Sequence, residues 1–388
     1  MILVIAAGLF LVCAAWIVVY RYYWDKGLSV SISFSGDMVR AGDTAKLTEV
    51  IENRKKLPVP VIEVRFSLKK GLQIQDAENA SVSDHIYKRD IFAVLGMQKI
   101  TREITFTCEK RGLYQIKQVE ILASSLLYQE QYTKEILFGD ISIPSGAKAP
   151  SGGNGETLSY MPELYVCPRQ TAVQDILSVS MHMLGEQQAR KHLCEDYFAF
   201  QGIREYTPQD ARKTINWNAT AKTGNLMVNT YDSSLRGKFM IYLDVENPSV
   251  TGQEMLMEEG ISIASSLAGK LLAAGMETGL AINGENGKAA VILPAAGRMQ
   301  SVRIQRNLAV CEIYEGNHTF ASLLESGKKL RDTVFLFITT ELKNQKFMED
   351  FLGQEDSGIW IYLKRKADTH VPKGGRSNLK LCVREVWE

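Results

Sequence analysis

Two carboxylates stand two positions apart where an apolar run ends: Phe239-Met-Ile-Tyr-Leu-Asp-Val245 is followed by Glu246. Carboxylates so placed suit a hard cation, because Mg²⁺ needs only one or two protein carboxylates and completes its shell with water. Asn247 and Ser249 follow the same run, and Thr339, Thr340 and Glu341 follow a later one, as further polar candidates. The five histidines, His85, His182, His192, His318 and His370, form no helical ligand pair such as HExxH. His192 and Cys194 are two positions apart, so they do not share a helix face, and no third group stands near to orient them. The basic runs Arg54-Lys55-Lys56 and Lys364-Arg365-Lys366 lack interleaved aromatics to stack on bases. They read as solvated turns, or at most as contacts with anionic lipid.

The densest mixture of fixed charge and apolar anchors lies between Phe200 and Lys222. Pro208 presets a turn, and Asp210 is placed to cap a short helix through Ala211–Asn216. Arg204, Glu205, Asp210 and Arg212 could form a partly buried ion-pair network, with Trp217 as the large apolar anchor. On that reading the segment is a clasp between domains, since structural ion pairs commonly explain clustered charge. On the other, some of its arginines stay exposed and grip a partner's carboxylate or phosphate.

Those residues must be positioned by a chain of 388 residues, long enough for two or three domains. With 45 basic and 44 acidic residues its net charge is +1, which argues against a dedicated nucleic-acid binder. Six scattered cysteines with no CxxC pair fit a reducing compartment better than a disulfide scaffold. Met1 to Tyr20 carries no charge and as a helix would be about 30 Å long, the thickness of a hydrocarbon core. Tyr20, Tyr22, Tyr23 and Trp24 would form an interfacial belt, and Arg21 and Lys26 would hold the following chain on the cytoplasmic side. The expectation is therefore a single-pass anchor over residues 1–24 of a cell-membrane protein, with the remainder in the cytoplasm.

Short alternating runs fill the next stretch: Leu28–Phe34, Ala45–Glu52, Val61–Leu68, Ile100–Cys108, Leu113–Leu126 and Tyr132–Phe138. With turn residues between them they predict an antiparallel β-sandwich over 28–143, and Pro58 and Pro60 place an exposed turn there. It shows no cluster of acid, base or nucleophile and reads as a spacer or partner-binding module. A Gly/Pro-rich linker is expected at 144–160, where Gly152-Gly153-Asn154-Gly155 has no GK[ST] to make a phosphate loop. From residue 237 apolar runs and helical periodicity alternate, with a helix over Glu254–Ala274 ending at Gly275. That alternation predicts a doubly wound α/β sheet over 237–388, whose functional edge lies at the strands' carboxyl ends. The fold class is thus α+β multidomain: a transmembrane helix, a β-sandwich, a clasp over 161–236 and an α/β domain.

Gly202, Arg204-Glu205-Tyr206, Pro208, Asp210, Arg212, Ile215, Trp217 and Ala221 resemble the signature of domain-of-unknown-function family fifty-eight. Val166-Cys-Pro-Arg169, Leu226-Met-Val228 and Arg111-Gly-Leu-Tyr114 match its flanking features. Gln209 stands where that family usually has glycine, and Lys222 where it has arginine. The family comprises bacterial and archaeal membrane-anchored proteins with a von Willebrand A-like domain that resemble partners of MoxR-type AAA+ ATPases. The resemblance implies a non-catalytic adaptor or scaffold, working with such an ATPase in assembly or maturation of other proteins. Its partner-binding or clasp residues would be Arg204, Glu205, Tyr206, Pro208, Asp210, Arg212, Trp217 and Lys222. A von Willebrand A domain holds Mg²⁺ through D-x-S-x-S, for which this chain has Asp244, Glu246 and Pro248. The alternative function is a cation-dependent adhesion or ligand-binding domain with a degenerate metal site at Asp244 and Glu246. No cofactor is otherwise expected.

Overall fold

The structure is a computed structural model, described over residues 2–74, 80–82, 85–124, 131–138, 161–193, 200–207, 215–231, 237–247, 253–283, 289–315, 320–325, 330–353, 356–366, 368, 372 and 376–386. The chain divides into two compact units, Met1–Arg169 and Gln170–Glu388.

The first unit begins with helix α1 (Ile2–Tyr23). Its strands are β1 (Leu28–Phe34), β2 (Met38–Arg40), β3 (Thr44–Asn53), β4 (Val59–Lys69), β5 (Leu72–Ile74) and β6 (Ala80–Val82). β7 (His85–Val94), β8 (Gln98–Cys108), β9 (Gly112–Gln115), β10 (Gln118–Ser124), β11 (Gln131–Leu137) and β12 (Glu163–Cys167) follow. One antiparallel sheet runs β1-β3-β8-β5, a second β11-β10-β4-β7-β6, and a small third β2-β12-β9. Alternation along β3 buries Leu47, Glu49 and Ile51 on one face, and the apolar members join a core with Ile62, Val64, Phe66, Ile104, Phe106 and Ile121. Two antiparallel sheets sharing one core make a β-sandwich. Pro60 lies inside β4, a strand flanked on both sides, rather than in an exposed turn. The pairing with β7 shifts register between Val59 and Ile62, and that irregularity accommodates the missing donor.

The expected membrane anchor is corrected. A helix forms there, but among the described residues no helix is long and apolar enough to cross a membrane. Two of the four aromatics assigned to an interfacial belt are instead core residues, Tyr20 and Trp24 being 1% and 7% exposed. The Tyr20 hydroxyl donates to the Ser124 carbonyl, and the Trp24 ring stacks on Tyr132 at 5.8 Å. The end of α1 is therefore held by protein, and the single-pass location and membrane partner fall with the anchor. The fold class changes accordingly: strands predominate among the described elements, which include no membrane span.

The second unit opens with α2 (Gln174–Leu193), β13 (Phe200–Glu205), α3 (Trp217–Thr223) and β14 (Met227–Tyr231). β15 (Lys238–Leu243), β16 (Glu246–Asn247), α4 (Glu254–Ala273), β17 (Glu277–Ile282), β18 (Ala290–Ala295), α5 (Arg298–Val310) and β19 (Tyr314–Glu315) come next. The chain closes with α6 (Phe320–Glu325), β20 (Thr333–Thr339), α7 (Asn344–Leu352), β21 (Ser357–Arg365) and β22 (Leu379–Val386). The main sheet is ordered β18-β17-β15-β20-β21-β22, parallel except for the β17–β18 pair. Every residue of β20 is buried, the pattern of a strand covered on both faces. On one face Ile241, Leu243, Leu336 and Ile361 pack with Ile261 and Leu267 of α4; on the other Tyr242, Phe337 and Trp360 pack with Leu323 of α6 and Met348 of α7. β17 follows β15 to one side and β20 lies on the other, so the winding reverses between β15 and β20. At such a reversal a crevice opens outside the strands' carboxyl ends.

Candidate functional site

Two places in the second unit gather residues able to contact a ligand or partner. The first is the arm made by β13, β14 and α3. β13 and β14 pair antiparallel, with Arg204 opposite Val228 and Glu205 opposite Met227. Ile215 adds a bridge to Val228, and Asn216 donates its backbone N–H to Met227. The helix expected to run through Asn216 therefore does not include Ile215 or Asn216. Asn216 instead caps α3, its Oδ1 accepting from the Ala219 N–H at 2.9 Å, and Gly224 closes the helix at φ 77°. α3 has no buried residue, and Trp217, the expected apolar anchor, is 67% exposed. Arg204 and Glu205 are exposed as well, not partly buried. Arg204 donates to the Glu205 carbonyl at 3.0 Å, and Glu205 accepts from Asn225 at 3.3 Å. Tyr206 is half-buried with its N–H on the Leu226 carbonyl, and Lys222 is exposed in the last turn of α3. Pro208, Asp210 and Arg212 lie outside the described residues.

The second place is a cavity of about 120 Å³ at the β15/β20 reversal. It is lined by Asp244 and Glu246 after β15, by Glu341, Lys343 and Asn344 after β20, and by Phe320, Ala321 and Phe347. Asp244 is 5% exposed, and its backbone N–H extends the ladder to the Ile338 carbonyl. Its Oδ1 accepts from Asn283 at 2.6 Å and from the Glu246 N–H at 3.2 Å, and its Oδ2 accepts from Asn344 at 2.9 Å. Asn283 in turn accepts from the Val245 N–H at 2.8 Å, so the asparagine is fixed by the strand end it supports. Burial pushes the Asp244 carboxyl up to about 6; the Asn283 and Glu246 hydrogen bonds oppose the rise, and the charges of Glu246 and Glu341 add to it. Lys343 lies 2.5 Å from Glu341 and neutralises it in part.

Mg²⁺ is the cation that a von Willebrand A-like fold would imply at this edge. Both Asp244 oxygens already accept from amide groups. Among the described residues no group of three or more His, Cys, Asp or Glu side chains is placed to hold a metal. With its oxygens so engaged, Asp244 is not open to a cation in this arrangement, and Pro248 and Ser249 lie outside the described residues.

Residues 202–384 match the family described as Protein of unknown function DUF58. The match takes in both the arm and the cavity and supports the DUF58 family for this part of the chain. No curated protein matches. Among solved structures, the chain is similar to a non-cellulosomal cohesin from the hyperthermophilic archaeon Archaeoglobus fulgidus, at 16% identity over 25% of this chain and 79% of that one, with a TM-score of 0.19. It is similar also to the CARDB domain of PF1109 from Pyrococcus furiosus, at 15% identity over 29% and 93%, with a TM-score of 0.18.

Sequence reasoning placed Asp244, Glu246 and Glu341 at the sheet's carboxyl edge, where the structure has them around one cavity. It missed Asn283 and Asn344, which hold Asp244. No local signal marked them, since only the sheet order sets Asn283, just after β17, beside Asp244. It also missed charge inside the sandwich: Glu49, Lys88 and Asp90 are 1%, 2% and 0% exposed.

Proposed function

We propose that the second unit is a binding module without chemistry of its own, which engages a protein partner through the arm of β13, β14 and α3. The observation that carries this reading is the exposure of Trp217 on a helix that buries nothing. Ile203 and Leu226 of the same arm are 42% and 45% exposed, and Arg204, Glu205 and Lys222 add charge of both signs. A large exposed aromatic flanked by arginine is the side-chain chemistry that dominates protein interfaces. A helix clasped by Trp217 would instead have to bury it. A MoxR-type AAA+ ATPase is the partner this reading names, on the strength of the signature Gly202 to Ala221, and assembly or maturation of other proteins is the task the pair would share.

The deciding experiment is capture of a MoxR-type ATPase by the full chain, repeated with Trp217→Ala and Arg204→Ala. Wild type is expected to capture the ATPase, Trp217→Ala to weaken capture at least tenfold, and Arg204→Ala to weaken it less. Equal capture by folded variants removes the arm from the interface, and no capture by wild type removes the ATPase. Turnover of a substrate abolished by one side-chain change would replace a binding module with an enzyme.

A further inference from the structure

Three buried charged groups and a fourth that is about one-third exposed, Arg102, meet on three strands of the sandwich. Glu49 is on β3, Lys88 and Asp90 are on β7 of the opposite sheet, and Arg102 is on β8, directly across the ladder from Glu49. Arg102 does not serve its cross-strand neighbour. Its Nη1 donates to Asp90 Oδ1 at 2.7 Å, and Lys88 Nζ lies 3.6 Å from the same oxygen. Glu49, 1% exposed, is left with both carboxylate oxygens buried and without a hydrogen-bond partner among the described residues. Its other ladder neighbour is Ile32 on β1, and the residues beside Asp90 and Lys88 on β4 are Val64 and Phe66. Glu63, Arg65 and Arg89, the next charges along β4 and β7, pair with one another.

A carboxylate in that position would bear the cost of a buried charge with nothing donating to it, whereas the neutral acid bears far less. We propose that Glu49 is a pH-responsive latch of the first unit: it is carried as the neutral acid while the sandwich is closed, and its ionisation loosens the sheet of β3 and β8 from that of β7. Burial pushes its carboxyl up to about 7, Asp90 adds to the rise, and Arg102 and Lys88 oppose it. The folded-state value lies above the unfolded one. The stabilisation is therefore complete below about 4.5, falls as pH rises through 7, and is then gone. Over that window the opening equilibrium should shift by about a hundredfold.

Hydrogen exchange of the β3 and β8 amides in the full chain tests this, with wild type and Glu49→Gln compared at each pH so that the intrinsic chemistry of exchange cancels. The ratio of wild-type to variant exchange should climb between pH 5 and pH 8.5, toward about a hundredfold. A ratio that does not change with pH overturns the latch. The carboxyl carbon shift of Glu49 in the wild type reads the same proton without any variant. A midpoint near 7 supports the proposal, and one near 4.5 overturns it.

Discussion

Asp244 and Glu49 are both carboxyls shut away from water, 5% and 1% exposed, and their surroundings treat them in opposite ways. Asp244 ends a parallel strand, where two asparagines and a backbone N–H converge on its oxygens. Glu49 sits mid-strand in an antiparallel ladder whose nearest cations have turned to Asp90. Both acids are pushed upward by burial, Asp244 to about 6 and Glu49 to about 7. For Asp244 hydrogen bonds recover part of the cost; for Glu49 only the more distant Arg102 and Lys88 oppose it. A strand end leaves room for neighbouring loops to supply donors, while a ladder interior has already committed its backbone groups. Donors at hydrogen-bond distance, more than depth, distinguish a structural carboxylate from a strained one.

The largest expected effect follows from removing the well-served acid. Asp244→Ala leaves the Asn283 and Asn344 amides and the Glu246 N–H without their acceptor, and should cost the second unit about 3 kcal/mol. Urea unfolding, read by exchange of the β15 and β20 amides, measures it; a loss below about 0.5 kcal/mol would mean that the cluster holds nothing together. Asn283→Ala goes part-way, at about 1–2 kcal/mol, and makes Asp244 more like Glu49. Because the folded-state acid lies above its unfolded value, the pH-dependent part of the Asp244 contribution is present below about pH 4 and is lost as pH rises through 6. Without Asn283 the upper end of that window moves higher, which the carboxyl carbon shift of Asp244 would show.

The opposite sign is expected for the poorly served acid. Glu49→Leu replaces a buried charge by apolar volume, and at pH 8 should stabilise the first unit by about 2–3 kcal/mol, the hundredfold shift expressed as free energy. At pH 5, where the wild-type group is protonated, the gain should nearly vanish. A loss of stability at pH 8 would show that Glu49 is needed to balance Lys88 and Arg102, and the contrast with Asp244 would collapse.

The backbone elements around both acids were legible because their patterns are local. β1, β20 and β22 span Leu28–Phe34, Thr333–Thr339 and Leu379–Val386, where apolar runs bounded by turn residues already mark strands. Leu113–Leu126, one run in the sequence, is two strands in different sheets, since Ile116 and Lys117 break the pairing between β9 and β10. β7 escaped notice because Lys88 and Asp90 stand at its inward positions, where a sequence reader looks for apolar residues. Tyr20 and Trp24 misled in the reverse direction, since aromatics after an apolar helix suit an interface and a protein core equally well. Asp244 was legible as the last residue of a buried run. Its asparagines were not, because 39 and 100 positions separate them from it and only the sheet order brings them together.

The smallest effects separate two adjacent threonines at the end of β20. Thr339 Oγ1 accepts from the Trp360 indole N–H at 3.0 Å, while the Thr340 hydroxyl is buried without a partner among the described residues. Valine has nearly the same shape and suits the same backbone, so each substitution removes little besides the hydroxyl. Thr339→Val strands a buried indole donor and should cost about 1–2 kcal/mol. Thr340→Val strands nothing and should change stability by less than about 0.5 kcal/mol in either direction. Unfolding of the two variants side by side puts the same question to neutral groups that Asp244 and Glu49 put to charged ones. Equal losses at both positions would mean that burial alone, and not the presence of a partner, sets the energy of polar groups in this sheet.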